Sequence, residues 1–329
     1  SIDPFPAVRF FKAHRDERPL GNDLPGNEIA AGTHCPTNGP PDDPATRDAA
    51  IPNATTPMKT LRLLFHVLAR DDGSEPVVTE EKVLAQVTTL NEAFRPWRLQ
   101  FVHTSRLLTN STYWDLFPGL TLELAQSSAT PLRRTFGTNQ DTHLNVFVVH
   151  VKELSFGGQA IFPWLTNTGG QAVALSRGGG VVVNARRFGA GEPVLVHEIG
   201  HALGLYHTHR GASEEEVAQC TACWERAVGS DTNRTGDFCS DTLPVLLGDN
   251  GQPTTLWDEC SQTNWPAVNF GNFMSAYPYE GGRFTSQQAG RMHAWIDYRL
   301  SGWLDTNTPA APSGLGATAS RFGDVSLSW

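Results

Sequence analysis

The chain has 329 residues, 39% of them apolar and 18% charged, with a formal net charge of −9. That is material for one large domain or two modest ones around a buried core. Basic residues cluster only as pairs such as Arg133-Arg134 and Arg186-Arg187, and apolar runs last a few residues, which argues against a nucleic-acid surface and against a bilayer-spanning segment.

In chain order, residues 1–57 are rich in Pro, Gly, Asp and Asn with little periodicity, and read as a loop-rich leader. Ser1 has no apolar h-region behind it, as expected of a secreted chain whose signal peptide is gone, or of a trimmed one. From Thr60 the character changes. Residues 61–68 (LRLLFHVL) have the length of a strand. Val83, Val87, Leu90 and Phe94 recur at helical spacing with Glu80 and Glu81 in the first turn, which predicts a helix over 79–94. Residues 99–102, 144–151 and, after a glycine turn, 180–183 are further strand candidates. With a histidine-bearing helix after them, this order predicts an α+β fold with a mixed twisted sheet. Residues 208–270 read as irregular, a last helix is expected from about 286 to 300, and 306–312 is a Thr/Pro/Ala linker. The remaining tail alternates like two short strands around a turn.

Five cysteines are unevenly spread: Cys35 stands alone, while Cys220, Cys223, Cys239 and Cys260 share a loop-rich stretch. Two disulfides among those four, and an oxidising compartment, are expected. The rival is a structural zinc site using Cys220-x-x-Cys223, weakened by the lack of a second Cys-x-x-Cys. Connectivity is not readable from the spacing.

Residues 197–207 read HEIGHALGLYH. On a helix, His197 and His201 lie on one face and can reach one zinc. Glu198, beside the first ligand, can take a proton from water without itself ligating. Gly204 can adopt a positive φ, end the helix and turn the chain so that His207 supplies a third ligand. One position then stays open for water or substrate, as catalytic zinc requires. The competing reading is a core helix with incidental polar residues. Chance would produce the full pattern in roughly one in 10⁵ chains of this size, and a core helix would leave these groups needing partners. His209 competes for the third position, but the spacing favours His207.

The pattern H-E-x-x-H-x-x-G-x-x-H resembles the extended zinc signature of the metzincin metallopeptidases, and Asn272-Phe273-Met274-Ser275 resembles that clan's methionine turn. Within the clan the chain is most similar to the pappalysin family. The similarity lies in LGLYHT, GDFCSDT, NFMS, RFTSQQAGRM (283–292) and GGQAIFPW (157–164), and covers about residues 60–303. Two segments depart from the family pattern. Ala276 stands where the family has a tyrosine, with Tyr277 following, and the Asp-Thr-Pro segment is altered at Cys239 and Leu243. The resemblance implies a calcium site near Asp237, Asp241 and Thr242. It also implies a preference for Arg or Lys at the cleaved bond, for which Glu280 is the candidate pocket acid and Tyr277 a second pocket residue. The tail resembles the opening of a fibronectin type III domain.

The expected organisation is a leader or pro-segment over 1–57, a catalytic domain over 58–305 (halves 58–207 and 208–305), and a linker with a truncated fibronectin-like start over 306–329. The expected function is a secreted zinc endopeptidase acting as a monomer on protein or peptide substrates, with Glu198 as general base. Cys35, the odd cysteine in a leader resembling a pro-segment, could hold the zinc in a latent zymogen, with release by cleavage around 45–58 at a point such as Arg47. The competing reading is that Cys35 pairs with one of the four loop cysteines and leaves the odd thiol elsewhere. The alternatives are a binding or adhesion module on an inactive metzincin scaffold, against which intact Glu198 argues, and another zinc hydrolase such as an amidase.

Overall fold

The computed structural model describes residues 35–152, 156–210, 219–242, 257–265, 271–275 and 282–306, and the backbone strands at 316–319 and 325–328. Strand β1 (Lys59–Ala69) is followed by helix α2 (Glu80–Phe94) and strand β2 (Leu99–Thr109), which runs parallel to β1 in register from Lys59↔Leu99 to Ala69↔Thr109. Two adjacent parallel strands need a crossover of this length, and α2 supplies it. Its start is set by Thr79, whose hydroxyl accepts from the Lys82 amide. The periodic residues Val83, Val87, Leu90 and Phe94 all face the core. The helix lies where the spacing places it; β2 runs seven residues beyond the expected 99–102, and its outer face is exposed.

Strand β3 (Leu144–Val149) is buried along its whole length and pairs parallel with β1 and with β5 (Val181–Asn184). Strand β4 (Gly158–Ala160) closes the other edge, antiparallel to β5, so the sheet order is β2-β1-β3-β5-β4. Burial on both faces explains the continuous apolar run of β3. Val146 and Val148 point into a core shared with α2 and the histidine helix α5 (Val194–Ala202), while Phe147 and Val149 point into a second core. That second core is capped by helices α3 (Ser111–Leu116) and α4 (Leu122–Phe136). The mixed sheet expected from the sequence is present, and β4 falls inside the GGQAIFPW segment.

Residues 208–265 carry only the two-residue strands β6 (Trp257–Asp258) and β7 (Thr263–Asn264) among the described residues. Helix α6 (Ser286–Trp295) opens with a capping box, in which Thr285 and Gln288 satisfy each other's backbone amides, and continues as a π turn through Leu300. A pair of antiparallel strands, β8 (Gly316–Ala319) and β9 (Val325–Ser328), follows the linker.

The N-terminal segment differs from a loop-rich leader. Within residues 35–57 a 3₁₀ turn (Pro40–Asp42) and helix α1 (Pro44–Ala49) pack on α6. Arg47 is buried and donates to the Phe238 carbonyl and to Asn233 Oδ1 at 2.8 Å. It is therefore not the accessible cleavage point that a flexible leader would offer. The disulfides are Cys35–Cys223 and Cys220–Cys260, with Cys239 a buried free thiol. This corrects both the expectation that the four clustered cysteines pair among themselves and the role of Cys35 as a latency ligand. Docking of the N-terminal segment brings Cys35 to Cys223, and Cys239 lies in the interior, where burial pushes its thiol pKa well up.

Candidate active site

Helix α5 is buried from Leu195 to Ala202, so His197, Glu198 and His201 sit in the interior rather than on a surface face. Its end is a Schellman turn: the Gly204 amide donates to the His201 carbonyl at 2.9 Å and the Leu205 amide to the Gly200 carbonyl at 2.9 Å. Gly204 has φ +96°, and a β-carbon there would lie 2.1 Å from Trp295 Cδ1. The glycine is thus required both by its backbone conformation and by the ring packed on it. The reversal carries His207 back over the helix.

The three ring nitrogens converge. His201 Nε2 lies 2.9 Å from His197 Nε2 and 3.0 Å from His207 Nε2. Ligands at ~2.0–2.1 Å on a tetrahedral zinc would stand about 3.3 Å apart. His197 Nδ1 is 2.7 Å from the Phe273 carbonyl and His201 Nδ1 is 2.8 Å from the Leu205 carbonyl. A carbonyl only accepts, so both Nδ1 atoms carry the proton and both Nε2 atoms present lone pairs. Facing lone pairs repel unless a cation lies between them, so the donor set fits a zinc ion. Among the described residues this is the one group of three or more His, Cys, Asp or Glu side chains gathered closely enough to hold a metal. His209, the competitor, instead stacks on His207 with centroids 4.5 Å apart.

Glu198 lies against β4. A β-carbon on Gly158 would be 2.7 Å from Glu198 Cγ and 2.9 Å from its Oε1, so only glycine leaves room for the carboxylate. Behind β4, the buried Arg133 of α4 donates to Gln159 Oε1 at 3.1 Å and to the Gly178 carbonyl at 3.0 Å, fixing the strand. Burial pushes Arg133 down to about 10, with Glu198 pulling the other way.

Met274, fully buried, lies beneath the site, and its carbonyl accepts from the Thr208 amide at 3.0 Å. Asn272 Oδ1 accepts from the Met274 amide at 2.8 Å, and the Asn272 and Gln288 side-chain amides bond each other at 2.9 and 3.1 Å. The methionine turn is thereby tied to the first turn of α6. On another side, Phe162 stands edge-on to His201 at 5.1 Å.

Of the proposed calcium residues, Asp237 and Thr242 come together: the Thr242 hydroxyl donates to the buried Asp237 carboxylate at 2.9 Å. Asp241 does not join them; its carboxylate accepts from the Gln287 amide at 2.9 Å because it caps the start of α6. The partner that sequence reading missed is Glu225, buried against Gly236, where a β-carbon would lie 2.0 Å from its Oε2. Burial pushes Asp237 up to about 7, and burial followed by the nearby Asp237 charge pushes Glu225 well up. No spacing signal marks Glu225. Tyr277 and Glu280 lie outside the described residues.

No family model matches the chain. Human pappalysin-1 is 33% identical over 207 residues, which are 60% of this chain and 12% of that protein's length. The extracellular metalloprotease of Colletotrichum graminicola is 28% identical over 255 residues, covering 74% of this chain and 78% of the fungal one. That of Neurospora crassa is 30% identical over 254 residues, covering 73% and 76%. A solved promirolysin variant of Tannerella forsythia, 19% identical, shares the fold with a TM-score of 0.51 over 77% of this chain and 84% of its own. The histidine cluster on this fold, with such identity across most of the Neurospora protein, places the chain in the family of metzincin-type zinc metalloproteases that includes these fungal enzymes and is related to pappalysin-1.

Proposed function

We propose that the protein is a secreted zinc endopeptidase in which Glu198 is the general base and then the general acid. The observation that carries this is the convergence of three histidine Nε2 atoms beside a carboxylate that is not among the gathered ligands. A bound zinc supplies Lewis-acid polarisation of the scissile carbonyl and acidifies the attacking water. Glu198, held between α5 and β4, takes the proton as water attacks and returns it to the leaving amine. The carbonyls of Phe273 and Leu205 hold the histidine tautomers. Secretion is supported by two disulfides and by relatives named extracellular. Metal analysis with peptide cleavage, with and without chelator, tests the reading: zinc-free active protein overturns it, whereas the adhesion-module alternative requires zinc without cleavage.

We further assign a calcium ion to Asp237 and Thr242, with Glu225 replacing Asp241 in the set. Two buried carboxylates side by side support this, because their desolvation cost is offset by a divalent cation. The catalytic unit is read as 58–305, in halves 58–207 and 208–305, to which residues 35–57 add. The β8–β9 pair is read as the start of a fibronectin type III-like module. Glu280 is retained as the acid that selects Arg or Lys in substrates; the same cleavage profile for Glu280→Gln and the parent chain contradicts it.

A further inference from the structure

We propose that residues 35–51 are a permanent strap of the working enzyme and that Asp42 is a positioning residue for the zinc turn, acting through Arg291. The proposal rests on the zinc reading above. The strap is tied to the second half of the domain by Cys35–Cys223. The Asn38 side-chain amide donates to the hydroxyl of Tyr206, the residue before the third histidine. Helices α1 and α6 touch backbone to backbone: a β-carbon on Gly290 would lie 2.5 Å from the Arg47 carbonyl oxygen.

At the centre of this contact is a completely buried ion pair, with Arg291 Nη2 2.6 Å from Asp42 Oδ1. The second Asp42 oxygen accepts from the Asn38 amide at 2.6 Å. Arg291 donates through Nε to the Gly204 carbonyl at 2.6 Å and through Nη1 to the Pro41 carbonyl at 3.4 Å. Gly204 is the residue at which the chain reverses between His201 and His207. Its carbonyl is therefore held by a guanidinium whose counter-charge comes from the strap. Burial works against that charge, and the Asp42 carboxylate, acting together with Tyr206 and Cys239, outweighs it, keeping Arg291 above its ordinary pKa. Without Asp42 the guanidinium is an uncompensated interior charge among Trp164, Tyr206 and Phe238. It must then move or take up water, and the Gly204 turn loses its fixed donor.

A merely structural pair and a positioning pair behave differently when both charges are removed together. In the full chain, Asp42→Asn and the double variant Asp42→Leu/Arg291→Met are compared by zinc affinity, measured by chelator competition. The melting temperature of the zinc-stripped protein serves as fold control. An apolar pair of similar volume can replace a buried ion pair without loss of fold, but it gives Gly204 no donor. The expected result is zinc affinity at least tenfold weaker in both variants, with near-parental melting of the stripped double variant. Parental zinc affinity in either variant overturns the relay. Mass analysis of the active enzyme after reduction is independent of the variants: residues 35–51 are expected to be present, and full activity without them overturns the strap. A parent chain that binds no zinc overturns the zinc reading instead.

Discussion

Gly200 of α5 and Met274 of the turn beneath it approach so closely that a β-carbon on Gly200 would stand 2.4 Å from the Met274 Sδ. The zinc helix and the methionine turn are in contact through that missing carbon. Gly200→Ala adds helix propensity of about 1 kcal/mol but must displace a fully buried sulfur, at a cost of about 1–3 kcal/mol. With Leu205 Cδ1 already 3.6 Å away, the overlap wins. The variant is expected to be about 1–2 kcal/mol less stable by urea denaturation and to hold zinc more weakly; equal or greater stability contradicts the contact.

Gly158 tests the base separately from the metal. Gly158→Ala pushes Glu198 from its place without touching a histidine. Misplacement of a catalytic group by about 1 Å costs on the order of 10²-fold. The expected outcome is kcat lower by about 10–100-fold with zinc affinity unchanged within about twofold. Parental kcat would mean that the carboxylate does not need this seat.

His66 predicts acid lability. Its Nε2 donates to Asn145 Oδ1 at 2.7 Å while its Nδ1 accepts from Arg106 Nε at 2.9 Å, an arrangement open only to the neutral ring. Burial, then Arg106, lowers its pKa from 6.5 to about 4. The unfolded chain binds a proton between these values and the folded one does not, so this contribution is complete above pH 6.5 and is lost as pH falls towards 4. It amounts to about 3 kcal/mol. Stability curves of the parent and His66→Gln chains should converge by about that amount between pH 7 and 4; parallel curves contradict it.

How much of this was legible follows from range along the chain. The spacing of Val83, Val87, Leu90 and Phe94 and the eleven residues from His197 to His207 are local patterns, and both appear where they were expected. Helix α4 is not among the expected elements; it carries Pro131 and several serines and threonines, which weaken its helical signal. The partner of Cys35 is 188 residues away, and Asp42 meets Arg291 from the opposite end of the domain. No periodicity encodes such pairs. Glu225 is likewise a carboxylate whose importance appears only when the chain buries it beside Asp237.

Those two carboxylates predict a calcium effect with a definite pH sign. Both are held above the usual carboxylate range, Asp237 at about 7. Without a cation the folded state binds extra protons, and its stability falls as pH rises from about 4 to 7. Calcium uptake displaces those protons, so the rise in melting temperature on adding calcium to chelator-stripped protein should grow between pH 5 and 8. It should vanish in Glu225→Gln. No calcium response at pH 8 removes the site.

The central chemistry is tested most directly by Glu198→Ala, measured for zinc content and peptide hydrolysis on the same sample. Glu198 is not among the three gathered ligands, so one zinc per chain should remain while turnover falls by several orders of magnitude, on the scale of losing an essential proton-transfer group. Near-parental turnover with zinc in place would contradict Glu198 as the proton carrier. Loss of the zinc itself would make Glu198 a ligand and contradict the three-histidine site.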